Sequence, residues 1–458
     1  MTVPVELPSL VDLARAIRAG ETTSESATQR CLAVIRDRDP SINAFIRVLD
    51  DTALDTARTA DRELRSGRDR GVLHGIPISI KDIFDMSGLP TTAASHVRRE
   101  HVASGDATVV ARLRDAGAVL VGKTNLHEFA LGTTNEESAY GPVHHPLDAS
   151  RSPGGSSGGS AASVLAGMAY ASIGTDTGGS IRIPAAACGL VGLKPRFRDV
   201  PTHGVVPLSA SLDHVGPLCA TVADAAAIFR TIADAPELDG LPAPGLVRGL
   251  RLGVPRRYFF DLLDDDVAHA FETTCRRLTD AGVILEDVVV PHASAIAAIY
   301  LQVALTEAAA FHARTLESRP DDYTPTVRVR LEAGRYVLAE DYLRALRGRD
   351  VLRAEVAAAL DSRDGLLLPS LAVPATPLGA ATVRVGTVDE PVRNVTLRLT
   401  QLFNLTGHPA ITVPCGVTSG GLPIGAQLVG SATAALLHVA AALEAHIRGG
   451  RPASVPLA

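Results

Sequence analysis

Residues 152–163 read SPGGSSGGSAAS, with four glycines and five serines in twelve positions. Such a composition is compatible with a flexible linker, a phosphate-binding loop or part of a catalytic site. A linker needs polar flanks, but an apolar helix and a buried strand are predicted beside this stretch. A phosphate loop needs a Lys-Ser/Thr pair after its glycines, and none is present. The stretch therefore favours a constrained loop inside a packed domain.

The chain has 458 residues, 46% of them hydrophobic and 21% charged, with a net charge of −6. These values are typical of a globular protein. Its five cysteines are scattered without a CxxC pair, which argues against a disulfide framework and a zinc site and favours the reducing cytoplasm. The sequence has no long run of Lys or Arg that would indicate a nucleic-acid partner. The apolar residues 161–174 are too short to span a bilayer, and the N-terminus lacks a signal-peptide pattern. We therefore predict a cytoplasmic location and no membrane partner.

The hydrophobic pattern changes along the chain, and an α/β fold follows from it. Residues 9–70 are predicted to form N-terminal packing helices, one of which should stop before Pro40. Residues 72–230 alternate short apolar strands with glycine-rich turns and helices. Residues 294–362 are mostly helical, and residues 363–458 return to strands before a final helix. Strand patterns at both ends, with no clean linker, predict one α/β domain over residues 1–458.

A second stretch, IGTDTGGSIRIPAAACG at residues 173–189, carries a candidate nucleophile. A predicted strand enters a polar turn holding Ser180, and Pro184 suits the first turn of a short helix. Backbone N–H groups around Ser180 could bind an oxyanion, and the helix dipole favours the same charge. Gly178 and Gly179 allow close approach to a carbonyl. A tight strand-to-helix turn without chemistry is the alternative.

A serine nucleophile needs a base, and the sequence offers one unusual cation. Lys81 follows an apolar strand in GIPISIKDIFD, where desolvation would favour its neutral form. A snorkelling surface lysine is the alternative. No histidine lies in a nucleophile-elbow context. We interpret five histidines as surface or satisfied core residues: His96, His101, His127, His144 and His145. GAVLVGKTN, around Lys123, has P-loop-like glycine spacing but is predicted to be a buried strand.

Taken together, GIPISIKDIFD, SPGGSSGGSAA and GTDTGGSIRIPAAACGLVGLKP resemble the amidase signature family. Further stretches extend the similarity over essentially the whole chain, including SLDHVGPL, FNLTGHPAITVPCG and GLPIGAQLVG. The resemblance implies one large mixed central β-sheet covered by helices on both faces. It also implies a Ser–Ser–Lys mechanism that needs neither a metal nor an organic cofactor.

Residue by residue, the resemblance makes Ser180 the nucleophile, Ser156 the bridging serine and Lys81 the base. The peptide bond between Gly155 and Ser156 is expected to be cis. Ala130 falls where family members line the acyl pocket. The other implied residues are the oxyanion-hole N–H groups of Thr177, Gly178, Gly179 and Ser180, and the supporting residues Gly155, Asp176 and Arg182.

The resemblance implies an amidase that cleaves the C–N bond of a small linear amide through an acyl-enzyme. The alternative is the glutaminase subunit of a tRNA-dependent amidotransferase, which would work with partner subunits. A homodimer is expected by analogy with the family. Residues 196–203 depart from the Thr-Tyr-Gly-Arg-like family pattern with Arg196, Arg198 and Asp199. This departure affects a surface or a pocket wall.

Overall fold

Eleven strands form one mixed sheet in the computed structural model, which describes residues 9–233, 245 and 247–450. Its strands are β1 (Phe45–Val48), β2 (Pro77–Lys81), β3 (Val119–Thr124), β4 (Ala171–Asp176), β5 (Val191–Lys194), β6 (His214–Cys219), β7 (Arg251–Val254), β8 (Ile284–Asp287), β9 (Gly365–Pro369), β12 (Ala410–Val417) and β13 (Pro423–Val429). Their spatial order is β1-β3-β2-β4-β6-β5-β12-β13-β9-β7-β8. β10 (Thr382–Val385) and β11 (Val388–Pro391) form a separate hairpin.

Helices flank this sheet, as the α/β fold class predicts. They are α1 (Leu10–Arg18), α2 (Ser24–Ile42), α3 (Asp50–Arg65), α4 (Thr108–Asp115), α5 (Gly158–Leu165), α6 (Arg182–Ala187), α7 (Val222–Ile232), α8 (Asp265–Asp280), α9 (Ile296–Ser318), α10 (Pro325–Gly334), α11 (Ala339–Leu360), α12 (Val392–Leu397), α13 (Gln401–Thr406) and α14 (Thr433–Arg448). The mixed central sheet and its helical layers are thereby confirmed. The single-domain assignment of residues 1–458, whose ends lie outside the described residues, stays a proposal.

Two details of the N-terminal segment differ from the sequence-based prediction. β1 interrupts the predicted all-helical region and pairs antiparallel with β3 at the edge of the sheet. Its four residues are too few to show a clear strand period. The second helix, α2, continues past Pro40 to Ile42, because the Asn43 N–H group donates to the Asp39 carbonyl and closes one further turn. The prediction that this helix stops before Pro40 was therefore wrong.

Parallel pairing of β2 with β4 brings the two central sequence motifs together. Ser79 pairs with Ser172 and Ile80 with Ile173, so the carboxyl ends of both strands lie at the same edge. Lys81 ends β2 and Asp176 ends β4, and both side chains are fully buried. The helix α5 begins within the Ser/Gly-rich stretch, whose residues 152–163 are all buried. This burial is incompatible with a linker.

One helical segment, residues 293–318, is long and apolar enough by length and composition alone to cross a membrane. It contains α9, which packs against α10, α11 and α13, as the core helix of a globular domain does. All five cysteines are buried, and none of them forms a disulfide bond.

Candidate active site

The Lys81 amino group is surrounded by hydroxyl groups. Its Nζ atom lies 2.9 Å from Ser156 Oγ, 3.0 Å from Ser157 Oγ and 2.8 Å from Thr175 Oγ1. Within the described ranges, no carboxylate lies within ion-pair distance of this nitrogen. Burial lowers the pKa of Lys81 to about 7, although Asp176 and Asp213 oppose the shift. A large fraction of this amine is therefore neutral near pH 7 and can accept a proton.

Ser156 occupies a tightly enclosed backbone position. The peptide bond between Gly155 and Ser156 is cis, and the Ser156 carbonyl accepts from the His127 N–H group at 3.1 Å. A Cβ atom on Gly155 would lie 2.8 Å from the Asn135 nitrogen and 2.9 Å from the Thr134 nitrogen. Only a glycine fits there, so Gly155 supports Ser156 by leaving room for the neighbouring backbone.

Ser180 lies in the turn between β4 and α6, as predicted, with 5% of its surface exposed. In the part of the chain that the structure describes, none of the N–H groups of residues 177–180 has an acceptor. A Cβ atom on Gly178 would lie 2.4 Å from the Tyr300 hydroxyl, and one on Gly179 would lie 2.3 Å from Thr400 Oγ1. The turn therefore presents free backbone donors in a space that only glycine permits, as an oxyanion hole requires.

A buried ion pair holds this turn from behind. Arg182 Nη2 lies 2.9 Å from Asp176 Oδ1, and both side chains are fully buried. The Asp176 carboxylate also accepts from the Ile181 N–H group at 3.1 Å. Burial disfavours this carboxylate, but Arg182 outweighs the penalty and the pKa of Asp176 is lowered. Asp176 and Arg182 thus hold this turn from behind, and their supporting role in catalysis stays a prediction.

The same ion pair receives contacts from the C-terminal third of the chain, which sequence reasoning missed. The Asn404 amide donates to Asp176 Oδ1 at 2.8 Å and accepts from Arg182 Nη2 at 2.7 Å. Gln427 Oε1 accepts from Arg182 Nη1 at 2.6 Å, and Thr400 Oγ1 donates to the Gly178 carbonyl at 2.6 Å. No local sequence signal connects these positions with residues 176–182.

The structure brings Lys81 and Ser156 into contact, but it does not join the two serine side chains. Among the described residues, no hydrogen bond links Ser156 Oγ with Ser180 Oγ. The two segments are instead joined by a hydrogen bond from the Ser157 N–H group to the Ser180 carbonyl, at 3.3 Å. Hydrogen bonds in unliganded active sites often tighten only when substrate binds. The catalytic roles of these serines remain proposals.

The predicted acyl-pocket residue Ala130 lies in a turn with left-handed backbone, at φ 59°. Arg330 donates to the neighbouring Leu131 carbonyl at 2.9 Å. Burial and the nearby Arg393 lower the pKa of Arg330 to about 10. The described residues include no ion-pair partner for Arg330 or Arg393, and the Arg393 Nε atom is buried without an acceptor. Positive charge therefore collects beside this turn.

His127, in the same region, corrects one interpretation from the sequence. It is 3% exposed, and neither ring nitrogen has a hydrogen-bond partner within the described ranges. It is therefore a buried but unsatisfied histidine. Burial, reinforced by Arg330, Arg393 and Lys81, lowers the pKa of His127 well below its usual value, so the ring is neutral. His145 is instead satisfied, since its ring contacts the Ala187 carbonyl at 2.9 Å.

Residues 9–233, 245 and 247–450 contain no group of three or more histidine, cysteine, aspartate or glutamate side chains arranged to hold a metal ion. The chemistry that the described residues offer is nucleophilic: a hydroxyl beside free N–H groups, and a neutral amine beside a second hydroxyl.

These features agree with the comparisons to known proteins. The family model described as Amidase matches residues 26–434. The chain belongs to the amidase signature family and is an enzyme of the class that cleaves C–N bonds.

Relatives and solved structures extend this match to nearly the whole chain. A glutamyl-tRNA(Gln) amidotransferase subunit from Myxococcus xanthus is 40% identical over 95% of this chain and 96% of its own length. A crystal structure described as an amidase superposes with a TM-score of 0.89 at 36% identity, covering 96% of this chain and 99% of that one. The corresponding glutamyl-tRNA(Gln) amidotransferase subunit from Thermotoga maritima gives a TM-score of 0.78 at 33% identity, covering 95% and 94%.

Proposed function

We propose that this chain hydrolyses a carboxamide through an acyl-enzyme on Ser180, with Ser156 and Lys81 as a proton relay. The observation that carries the proposal is the buried Lys81 amine, which contacts Ser156 Oγ at 2.9 Å without a carboxylate partner in the described chain. A lysine held in this way can be a base rather than a fixed cation.

The relay moves protons in a balanced cycle. Neutral Lys81 takes the Ser156 proton while Ser156 takes the Ser180 proton, and Ser180 Oγ bonds to the amide carbon. The carbonyl electron pair moves to oxygen, where the N–H groups of residues 177–180 stabilise the charge. As the C–N bond breaks, Ser156 returns a proton to the leaving nitrogen. Water then attacks the acyl-enzyme through the same relay and releases the acid.

We further propose that the substrate carries a carboxylate. Arg330 and Arg393 lie near the turn of Ala130 without a carboxylate at ion-pair distance in the described ranges, and Glu137 opposes the lowering of the Arg330 pKa only in part. Two neighbouring arginines without a counter-ion are stabilised by an anion. A small anionic amide would supply that charge while its amide group reaches Ser180.

A second candidate function is the glutaminase subunit of a tRNA-dependent amidotransferase. The identity of 40% over nearly the full length of proteins so named supports it better than a free-standing hydrolase of small amides. Glutamine is itself a carboxamide with a carboxylate, so the same chemistry serves both functions. In this case the chain would have protein partners, whereas the small-amide function needs only its substrate. A homodimer and a cytoplasmic location also remain proposals; five cysteines without a disulfide bond support a reducing compartment.

The deciding experiment measures ammonia release by the purified chain from glutamine, succinamate and the uncharged methyl ester of succinamate. We expect the two amides that carry a carboxylate to be cleaved faster than the ester. Ser180→Ala should remove this activity, by about 10⁴-fold or more, with an unchanged circular dichroism spectrum. Wild-type turnover in Ser180→Ala would refute the nucleophile assignment. Glutamine cleavage that appears only with added partner subunits would favour the second function.

A further inference from the structure

A cavity of about 930 Å³ lies apart from the residues assigned to catalysis. Its walls come from α9, α11, the segment of residues 404–408 and the atypical segment of residues 196–198. Lys81, Ser156 and Ser180 do not line it. One of the residues that line it is Asn404, whose amide also donates to Asp176.

The side chains that line this cavity carry an excess of positive charge. Four arginines line it, Arg196, Arg198, Arg349 and Arg353, against one carboxylate, Glu307. That carboxylate already accepts from the Ser209 hydroxyl at 2.7 Å, the Ser211 hydroxyl at 2.6 Å and the Tyr342 hydroxyl at 3.0 Å. Its one negative charge can offset at most one of the four arginines, and in the described chain it lies at ion-pair distance from none of them.

The four arginines fall into two pairs. Arg196 and Arg353 contact the carboxylates of Asp199 at 3.1 Å and Asp350 at 2.9 Å. Arg198 and Arg349 have no such partner within the described parts of the chain. The Arg349 Nε atom is buried without an acceptor. A buried guanidinium donor without an acceptor is costly unless a ligand or water satisfies it.

Apolar side chains complete the cavity. Phe197 lies beneath the Arg198 guanidinium, 5.3 Å from ring centroid to carbon. Phe311 contributes a further ring that is 47% exposed, and Leu208 and Leu405 line the wall beside it. Burying such a surface against an apolar ligand is favourable.

We propose that this cavity is a second binding site, for a small organic anion with a carboxylate or phosphate group on an apolar ring. The anion contacts Arg349 and Arg198, and the ring packs between Phe197 and Phe311. The site is independent of the amide substrate proposed above. It assigns a role to the segment of residues 196–198, which departs from the family pattern.

The test titrates the full chain with phenyl phosphate and with benzoate by isothermal calorimetry, and with inorganic phosphate and benzyl alcohol for comparison. We expect both aryl anions to bind at least tenfold more tightly than benzyl alcohol or inorganic phosphate. The stronger of the two aryl anions identifies the charged group. Equal binding of benzyl alcohol would refute recognition of the charge, and equal binding of inorganic phosphate would refute the apolar half of the site.

Arginine variants then locate the site. Arg349→Gln and the surface variant Arg198→Gln should each weaken aryl-anion binding about ten- to hundredfold. Arg347→Gln removes the same charge from an exposed position on α11 that does not line the cavity, and should change nothing. Unchanged binding in Arg349→Gln and Arg198→Gln, or equal weakening in Arg347→Gln, would overturn the proposal. A higher KM for succinamate in the Arg349→Gln variant would also overturn the proposal, because the cavity would then be part of the substrate path.

Discussion

Two buried lysines on neighbouring strands have opposite environments. Lys81 ends β2 and Lys123 lies near the end of β3, and both are fully buried. Lys123 Nζ lies 2.6 Å from the Asp82 carboxylate and 2.6 Å from the Pro90 carbonyl. Lys81 contacts three hydroxyl groups instead. Pairing of Lys81 with Thr124 across the strands places Lys123 on the other face of the sheet.

This difference separates a structural cation from a candidate base. Burial lowers the pKa of both lysines, but for Lys123 the Asp82 carboxylate opposes the shift directly. Hydroxyl groups accept from an ammonium and also donate to a neutral amine, so the surroundings of Lys81 tolerate both protonation states. A carboxylate cannot donate, and it fixes the charge of its partner.

The largest expected effect is on catalysis at Lys81. Lys81→Met removes the base and should lower kcat/KM for amide hydrolysis by at least about 10³-fold. The fold should remain, because the replaced amine has no ionic partner in the described chain that would be left uncompensated. Steady-state kinetics and a thermal melt measure the two effects. Near-normal turnover in a folded Lys81→Met protein would exclude this lysine as the base.

The equivalent change at Lys123 should affect stability instead. Lys123→Met leaves the Asp82 carboxylate buried without its counter-ion, at a cost of about 3–5 kcal/mol in the free energy of unfolding. Urea denaturation at pH 7 measures this loss. The double variant Asp82→Leu/Lys123→Met is the control, since removing both charges should restore much of the stability. A stable Lys123→Met protein would show that the ion pair is not needed.

An intermediate effect, on KM, is expected at Arg330, which has no carboxylate at ion-pair distance in the described chain. Arg330→Gln should raise KM for succinamate about ten- to hundredfold and leave the uncharged methyl ester unaffected. Arg328→Gln, on the same helix but ion-paired with Glu332 and Asp321 at the surface, is the charge-matched control. Equal losses with both substrates would indicate a structural role for Arg330.

The smallest effect concerns pH. With the pKa of Lys81 lowered to about 7, the base is protonated below pH 7 and neutral above it. The logarithm of kcat/KM should therefore rise by one unit per pH unit below about 7 and level off above it. A profile recorded from pH 5 to 9 tests this. A rise in kcat/KM that continues to about pH 10, the ordinary pKa range of a lysine, would contradict a neutral amine at working pH.

The sequence pattern predicted the strand before Ser180, the turn and the short helix after it, because these lie within twenty consecutive residues. The family resemblance assigned Lys81 as the base, but the local pattern did not show that Lys123 would carry the ion pair, since each lysine follows a buried strand in a similar context. Asp82 is next to Lys81 in the chain but forms its ion pair with Lys123. Only the pairing of strands determines which lysine meets the acid.

Other parts of the site were beyond local reasoning. Arg330 and Arg393 approach Ala130 from helices about 200 or more positions away in the sequence, and Asn404 reaches Asp176 over 228 positions. Partly exposed arginines are common on any surface, so neither arginine had a signal of its own. His127 was interpreted as a surface or satisfied core residue because its sequence context does not show that its ring is buried without partners.

The contacts of Arg182 have a consequence for synthesis of the protein. Lys81, Ser156 and Ser180 all emerge from the ribosome early, whereas the partners of Arg182 at Thr400, Asn404 and Gln427 emerge at least 218 positions after Arg182. Until those residues dock, the turn around Ser180 lacks part of its backing, and the buried guanidinium has only Asp176 as an acceptor. A nascent chain would therefore be inert, and its hydrolytic capacity would begin only when residues up to Gln427 have been made.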